Sequence, residues 1–384
     1  MFKDKFPLAL AILIGTIIGA GIFGIPFVLM RSGIISGLFY FLILGGAVLL
    51  IHLFFGEIIL RTKEKCRLIG FGQKYLGNWT KPIIFFSVIF GVTGALLAYL
   101  ILGGEFLRIL FSPIFNLSSY QFTLIFWLSL SYFIFRGIKL IIPAEFFTNF
   151  LFFFVIIIIL GFCFPKFNLA NVSILNFPNV FLPFGVILFS LIGWSAIPEI
   201  CDFLKDPEEK KKIKKIIVSS SIIVIALYLF FALAVIGMAG ENVSQDTLSG
   251  LIPFLGEKII FLIALAAVIT LADSFWALGL YLKNTFIYDL KLSKTTSAIM
   301  TCGFPLLLFL VGFRSFITII GFIGTIVGAI EGIIIILIFK KVKFLGDREP
   351  EYSLKVPSFL LYFLIGVFVL GAISQIIYFI QILV

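Results

Sequence analysis

The chain has 384 residues, of which 61% are hydrophobic and only 12% are charged. Soluble domains carry about 25% charged residues, so the composition excludes a soluble protein and predicts one embedded in a membrane. The net charge of +10 would suggest nucleic-acid binding in a soluble protein, but here the basic residues lie between apolar runs and no nucleic-acid partner is expected. One histidine and four scattered cysteines argue against a metal cofactor or a disulfide framework.

The apolar runs have the length of membrane-spanning helices, about 20 residues. Transmembrane β-barrels use alternating segments of about 10 residues instead. The sequence therefore predicts an all-α membrane protein. We predict eleven spans, at residues 6–30, 33–61, 82–110, 120–138, 143–165, 180–204, 213–239, 254–282, 295–312, 314–341 and 356–382.

The positions of the basic residues predict the orientation of these spans. If the N-terminus lies inside the cell, most of the 29 lysines and arginines fall in cytoplasmic segments, as the positive-inside rule requires. With eleven spans the C-terminus then lies outside. The loops are short, so residues 1–384 form a single transmembrane domain with no separate soluble part.

The first span is a poor helix former. Four glycines and a proline occur in the twelve residues from Gly15 to Pro26, and both residue types disfavour a helix interior. Small residues can serve close helix packing. Alternatively, the helix is unwound at the membrane midplane, where freed backbone groups bind a ligand.

The sixth span favours the second interpretation. Its residues 192–198 repeat the glycine, small residue, isoleucine and proline of residues 20–26. Two broken helices five spans apart run in opposite directions, which is typical of transporters built from inverted repeats. Residues 6–165 and 180–341 would be the two five-helix repeats, and residues 356–382 would be an additional eleventh helix.

These motifs resemble a known family. Residues 15–26 resemble the first-helix motif of the amino acid–polyamine–organocation superfamily, and residues 189–199 its broken sixth helix. Residues 95–107 are similar to the third helix of its amino acid/auxin permease branch, and residues 274–280 to the eighth helix of hydroxy and aromatic amino acid permeases. The resemblance implies a LeuT-like 5+5 fold that carries amino acids by symport with sodium ions or protons.

The resemblance also assigns candidate substrate-binding residues. Backbone N–H groups of the first break would meet the substrate carboxylate, and small residues suit such close backbone contact. A tryptophan at the second break stands where the superfamily often has a gating aromatic residue. The predicted substrate-binding residues are Gly19, Ala20, Gly21, Ile22, Tyr99, Gly193, Trp194 and Ser195.

A cation site is expected between the first and eighth helices. By resemblance, the carbonyl groups of Gly15 and Ile18 would face the side chains of Thr270, Asp273 and Ser274. The spacing places these three side chains on one helix face, and oxygen ligands suit a hard cation. Ile22 stands where some relatives have the asparagine of a second cation site, so we expect at most one coupling ion and no other cofactor.

Ionisable residues inside a membrane are costly and suggest a function. Asp273 is interpreted as a proton carrier or cation ligand, with an interhelical hydrogen bond as the alternative. Candidates for gating or proton relay are His52, Glu57, Glu199 and Glu331. A helix–helix hydrogen bond of His52 and an i,i+4 pair of Glu57 with Arg61 are the structural alternatives.

The sequence thus predicts a secondary active transporter of neutral or aromatic amino acids in the cytoplasmic membrane. Proton or sodium symport would proceed by alternating access, with spans 1, 2, 6 and 7 rocking against spans 3, 4, 5 and 8. A transporter of another small solute, or an amino acid sensor with the same fold, remains an alternative. No catalytic constellation and no obligate protein partner are evident, so an enzyme is not expected.

Overall fold

The computed structural model describes residues 5–136, 141–288 and 290–383, without the side chains of residues 141–147, 149, 288 and 378–383. In this part of the chain every regular element is helical and no strand occurs. The α-helices are α1 (Phe6–Ile17), α2 (Ile25–Ser32), α3 (Ile34–Arg61), α4 (Leu68–Leu76), α5 (Thr80–Phe111), α6 (Ser119–Arg136), α7 (Ile141–Cys163), α8 (Leu182–Leu191), α9 (Ile197–Phe203), α10 (Pro207–Lys210), α11 (Ile213–Ala239), α12 (Leu248–Leu255), α13 (Glu257–Tyr288), α14 (Lys294–Val311), α15 (Phe316–Leu345) and α16 (Ser358–Leu383).

Most of the predicted spans are long apolar helices. Among the described residues, eight helical stretches are long and apolar enough to cross a membrane, and the pair α1 and α2, bent by 54°, makes a ninth. They correspond to predicted spans 1 to 3 and 6 to 11. The chain is therefore an integral membrane protein with several spans.

Predicted spans 4 and 5 coincide with helices α6 and α7, but their crossing of the membrane stays a prediction. Neither α6 nor the described part of α7 reaches the required length and hydropathy. The predicted junction between these spans comprises residues 139–142, and its first two residues, like the last two of predicted span 4, lie outside the described residues.

The long helices enclose the broken ones. Helix α15 packs along α8 and α5, and α13 packs along α5 and α7. Helix α1 lies against α11, while α8 also contacts α2 and α3. This arrangement buries both interruptions of the helical chain among continuous helices.

One end of the bundle, which we call the basic end, is tied by ion pairs between loops. Lys5 binds Glu209 at 2.9 Å, and Lys65 binds Asp202 at 2.8 Å. Lys74 of α4 donates to Asp347 in the α15–α16 loop at 2.8 Å, and this contact holds the pKa of the Asp347 carboxyl below its usual value. The pairs connect segments that are far apart in the sequence.

The opposite end is closed by the segment between α7 and α8. The Ile34 N–H donates to the Ser173 carbonyl and the Asn176 N–H donates to the Ser32 carbonyl, both at 2.9 Å. Gly33, between α2 and α3, has φ +88, and a β-carbon there would lie 2.5 Å from Leu175 Cα. Glycine is required because of both the left-handed backbone and the close approach.

A buried carboxylate joins three segments at the basic end. Glu57 accepts from Arg61 Nε at 2.8 Å, as the i,i+4 spacing predicts, and also from Lys343 Nζ at 2.6 Å. The backbone N–H of Leu354 donates to its second oxygen at 2.7 Å. Helix α3, the end of α15 and the loop before α16 are thus connected through one fully buried side chain.

We expect Glu57→Gln to destabilise the protein. Removing one partner of a buried ion pair costs about 3–5 kcal/mol, and here we expect about 2 kcal/mol because Arg61 and Lys343 are partly solvated. The matched control is Glu64→Gln, which breaks the exposed pair with Lys74 and should cost little. Thermal unfolding in detergent measures both; equal effects would contradict the importance assigned to burial.

Candidate substrate and coupling site

Both broken helices are interrupted by a single turn of 3-10 helix. Residues Ala20–Phe23 separate α1 from α2, and Trp194–Ala196 separate α8 from α9. A proline begins each second half, Pro26 in α2 and Pro198 in α9. Proline has no N–H and cannot continue the hydrogen bonding of the preceding turn, so the glycine–proline pattern places the interruptions where the sequence predicts them.

In each interruption, a glycine packs closely against a side chain of the other broken helix. A β-carbon on Gly21 would lie 2.2 Å from Ser190 Oγ, and one on Gly193 would lie 2.3 Å from Ile17 Cγ1. Neither glycine has a positive φ, so the requirement is space rather than conformation. The glycines allow the two breaks to lie side by side.

Tyr228 of α11 connects the two broken helices. Its hydroxyl lies 3.0 Å from the carbonyl oxygen of Ile17 and 2.9 Å from that of Ser190, and the side chain is fully buried. One hydroxyl hydrogen therefore serves two acceptors, one at the end of α1 and one at the end of α8. Sequence reasoning missed this residue, for which the only signal was a tyrosine within the apolar seventh span.

His52 of α3 holds the backbone of the second break. Its Nε2 accepts a hydrogen bond from the Gly193 N–H at 3.2 Å, so this nitrogen carries no proton in the observed arrangement. Its Nδ1 is buried and has no hydrogen-bond partner among the described residues. The imidazole also lies edge-on to the ring of Trp194, with 6.1 Å between ring centroids. The structure thus places His52 beside two predicted substrate-binding residues.

Glu331 of α15 meets the same break. Its Oε2 accepts from the indole Nε1 of Trp194 at 2.7 Å, and its Oε1 accepts from the hydroxyl of Ser87 on α5 at 3.1 Å. All three side chains are buried. The sequence singled out Glu331 and Trp194 separately but gave no reason to pair them, and it missed Ser87 because a lone serine in an apolar span has no distinctive pattern.

Asp273 of α13 points toward α7. Its Oδ2 accepts from the Thr148 hydroxyl at 2.6 Å, whereas its Oδ1 is buried with no hydrogen-bond partner in the described part of the chain. The Thr270 hydroxyl donates to the Ala267 carbonyl of its own helix at 2.9 Å. Thr148 was missed by the sequence analysis.

The predicted cation ligands occupy two separate elements. Gly15 lies in α1 and Ile18 directly after it, whereas Ser274 is a partly buried residue of α13. The described hydrogen bonds of Thr270 and Asp273 go to α13 and α7 rather than to α1. A shared ion site of these five residues stays a prediction.

Tyr99 of α5 reaches the first break. It is buried, and its hydroxyl lies 3.7 Å from the position of a β-carbon on Gly19. Gly19 itself is extended, with φ −110 and ψ −159. The structure therefore brings Tyr99 to the segment that the sequence assigns to substrate binding.

The end of the first interruption is held by the loop before α12. The hydroxyl of Thr247, the residue before α12, donates to the Phe23 carbonyl at 2.5 Å. Thr247 is buried and has φ +63, which is unfavourable for a β-branched residue. This hydrogen bond was not predicted from the sequence, because a single threonine in a loop has no distinctive pattern.

Exposure differs between the two sides of the breaks. Ser195 and Glu199, on the side of the basic end, are exposed, as is Thr16 at the end of α1. On the other side, Ile22 and Val28 are fully buried. The exposed residues in and beside the breaks thus lie on the side of the basic end, whereas Ala20, Phe23 and Trp194 within the breaks are buried.

The sequence matches a known protein family over nearly its whole length. The model of the tryptophan/tyrosine permease family matches residues 3–375. The chain belongs to this family. No individual curated protein matches it significantly. The protein is therefore an amino acid permease, a transporter rather than an enzyme, as the sequence predicts.

We expect Tyr228→Phe to impair transport by the permease more than removal of another buried tyrosine hydroxyl does. Two buried carbonyls lose the hydrogen bond from this hydroxyl, at a cost of about 1–3 kcal/mol, and the two breaks lose their common partner. The control is Tyr352→Phe, which removes the hydroxyl that donates to the Leu53 carbonyl at 2.7 Å, away from the breaks. Amino acid uptake and thermal stability are measured for both; similar uptake in both variants would contradict the role of Tyr228.

We expect Gly21→Ala to abolish uptake because its β-carbon would collide with Ser190. The matched control is Gly46→Ala on α3, where a β-carbon meets nothing within 4 Å. Detergent-solubilised yield separates misfolding from lost transport. A Gly21→Ala variant that transports like wild type would show that the two breaks do not need this close contact.

Proposed function

We propose that the permease carries aromatic amino acids by ion-coupled symport with alternating access. The observation that carries the proposal is the direct contact of two broken helices, with one tyrosine hydroxyl bound to carbonyls of both. Broken helices of this kind supply backbone groups for substrates and ions at the membrane midplane of secondary transporters. Aromatic substrates agree with the family, whose description names tryptophan and tyrosine.

The substrate would lie where the two breaks meet. The first N–H groups of a helical turn have no partner within that turn, and a turn of 3-10 helix begins at Ala20. These donors suit the carboxylate of an amino acid. Tyr99 and Trp194, both buried beside the breaks, are placed to contact an aromatic side chain.

We infer a LeuT-like architecture from the order of the elements. The two breaks lie in the first helices of residues 6–165 and 180–341, the predicted inverted repeats. Helices α6 and α7 would supply the fourth and fifth spans, and α16 the eleventh. With the basic end in the cytoplasm, the N-terminus lies inside and the protein belongs to the cell membrane.

The unequal exposure of the residues on the two sides of the breaks supports alternating access. The exposed Ser195 and Glu199 and the buried Ile22 and Val28 are what we expect of a state that would open toward the cytoplasm. In the other state, α1, α2, α8 and α9 would move with α3 and α11 relative to α5, α6, α7 and α13. The Thr247–Phe23 hydrogen bond would then have to break.

The coupling ion is a sodium ion or a proton. Gly15, Ile18, Thr270, Asp273 and Ser274 remain the proposed cation site. The orphaned Oδ1 of Asp273 supports a ligand there, because buried polar atoms normally have a partner. Asp273 could bind either ion through this oxygen.

Transport by purified protein in proteoliposomes tests the proposal. We expect labelled tryptophan or tyrosine to accumulate when an inward sodium or proton gradient is imposed, and glutamate not to accumulate. Asp273→Asn should lose gradient-driven accumulation but retain exchange, whereas Glu105→Gln, which breaks a partly exposed pair with Arg108, should behave as wild type.

Two outcomes would overturn the proposal. Absence of both uptake and exchange for every amino acid would remove the substrate assignment. Equilibration of aromatic amino acids without response to either gradient would leave a facilitator and exclude symport.

A further inference from the structure

The carboxyl group of Glu331 lies at the second break, and the part of the chain that the structure describes gives it no cationic partner. Its two hydrogen bonds come from Trp194 and Ser87, which are both neutral donors. A charge in the membrane interior is costly unless it is paired. In soluble proteins and membranes alike, such a carboxyl group can avoid the cost by binding a proton.

The charged and titratable groups on the surrounding elements do not compensate Glu331. Helix α8 carries no titratable side chain, and His52 of α3 meets Trp194 and the Gly193 N–H instead. The other titratable groups near the basic end have different partners or are exposed. Glu57 binds Lys343, Lys74 binds Asp347, Tyr75 binds Thr62 and Tyr362 binds Lys340, while Lys81 is exposed. No described basic side chain hydrogen bonds to Glu331.

Protonation of Glu331 changes its bond to Trp194. The ionised group offers two acceptor oxygens, and a hydrogen bond to an ionised acceptor is roughly twice as strong as a neutral one. The protonated group must donate its own hydrogen, for which the Ser87 oxygen lies within reach, and it retains only a neutral bond to the indole. Trp194 is therefore held firmly by the ionised form and loosely by the protonated form.

We propose that Glu331 is a proton-binding site that controls the position of Trp194 in the second break. The inference rests on the proposed function and deepens it, because it names a proton among the coupling ions and a residue that binds it. It is separate from the predicted cation site at Asp273, which lies on α13 and bonds to α7.

The direction of coupling follows from reciprocity. If proton binding loosens Trp194, then a substrate that displaces Trp194 must favour proton binding, since coupling free energies are mutual. Proton and substrate therefore bind together, as symport requires. Release of the proton at the other side would restore the strong Trp194–Glu331 bond and favour release of the substrate.

Fluorescence of Trp194 tests the proton site without transport. The chain has four tryptophans, so replacing Trp79, Trp127 and Trp276 by phenylalanine leaves Trp194 as the single reporter. We expect its emission to titrate with pH, Glu331→Gln to remove the titration, and Ser87→Ala to move its midpoint. Glu105→Gln, which breaks the partly exposed pair with Arg108, is the control that should retain it. A titration that persists in Glu331→Gln, or no titration in the reporter variant, would overturn the proposal.

Proton movement in proteoliposomes provides the second test. Substrate added outside should acidify the lumen of wild-type vesicles, measured with an internal pH dye, and Glu331→Gln should abolish this proton entry while substrate exchange continues. Proton entry in Glu331→Gln equal to that of wild type would overturn the proposal. Absence of any substrate exchange in wild type would refute the proposed function instead, and the fluorescence titration would still test the proton site.

Discussion

The direct contact between the two helix breaks is the constraint on which the rest of the structure depends. Gly21 faces Ser190 and Gly193 faces Ile17 at distances that allow no β-carbon. Bringing two interrupted helices together leaves backbone groups without helical partners inside a membrane, where each unpaired group is costly. The continuous helices around the two breaks must therefore supply polar side chains that bind these backbone groups.

Those side chains come from four different helices, and each has a distinct task. Tyr228 of α11 serves carbonyls of both breaks, and His52 of α3 accepts from the Gly193 N–H. Glu331 of α15 binds the tryptophan that follows, while Tyr99 of α5 covers the first break. Tyr228 and His52 thus satisfy backbone groups beside the residues for which we propose substrate binding.

Charge is distributed in opposite ways in the interior and at the basic end. The loops of the basic end pair lysines and arginines with carboxylates, as in the network around Glu57. Around Glu331 and Asp273, by contrast, the described partners are neutral hydroxyl and indole groups. The ion pairs connect loops, whereas a carboxyl group without a cationic partner can change its charge by binding a proton. This difference supports the ion-coupling roles proposed for Glu331 and Asp273.

The sequence by itself determined the membrane class, most of the spans and the positions of both breaks, because apolar length and the glycine–proline pattern act locally along the chain. It also singled out His52, Asp273 and Glu331 as ionisable residues in apolar surroundings, and Trp194 through its place in the resembling motif. Only the tertiary structure decided the partners: Ser87 for Glu331, Thr148 for Asp273, and Tyr228 and Thr247 for backbone carbonyls of the broken helices. Single hydroxyl residues leave no periodic signal in the sequence. Hydrogen bonds between residues more than a hundred positions apart depend on how helices pack, which the pattern of one chain does not contain.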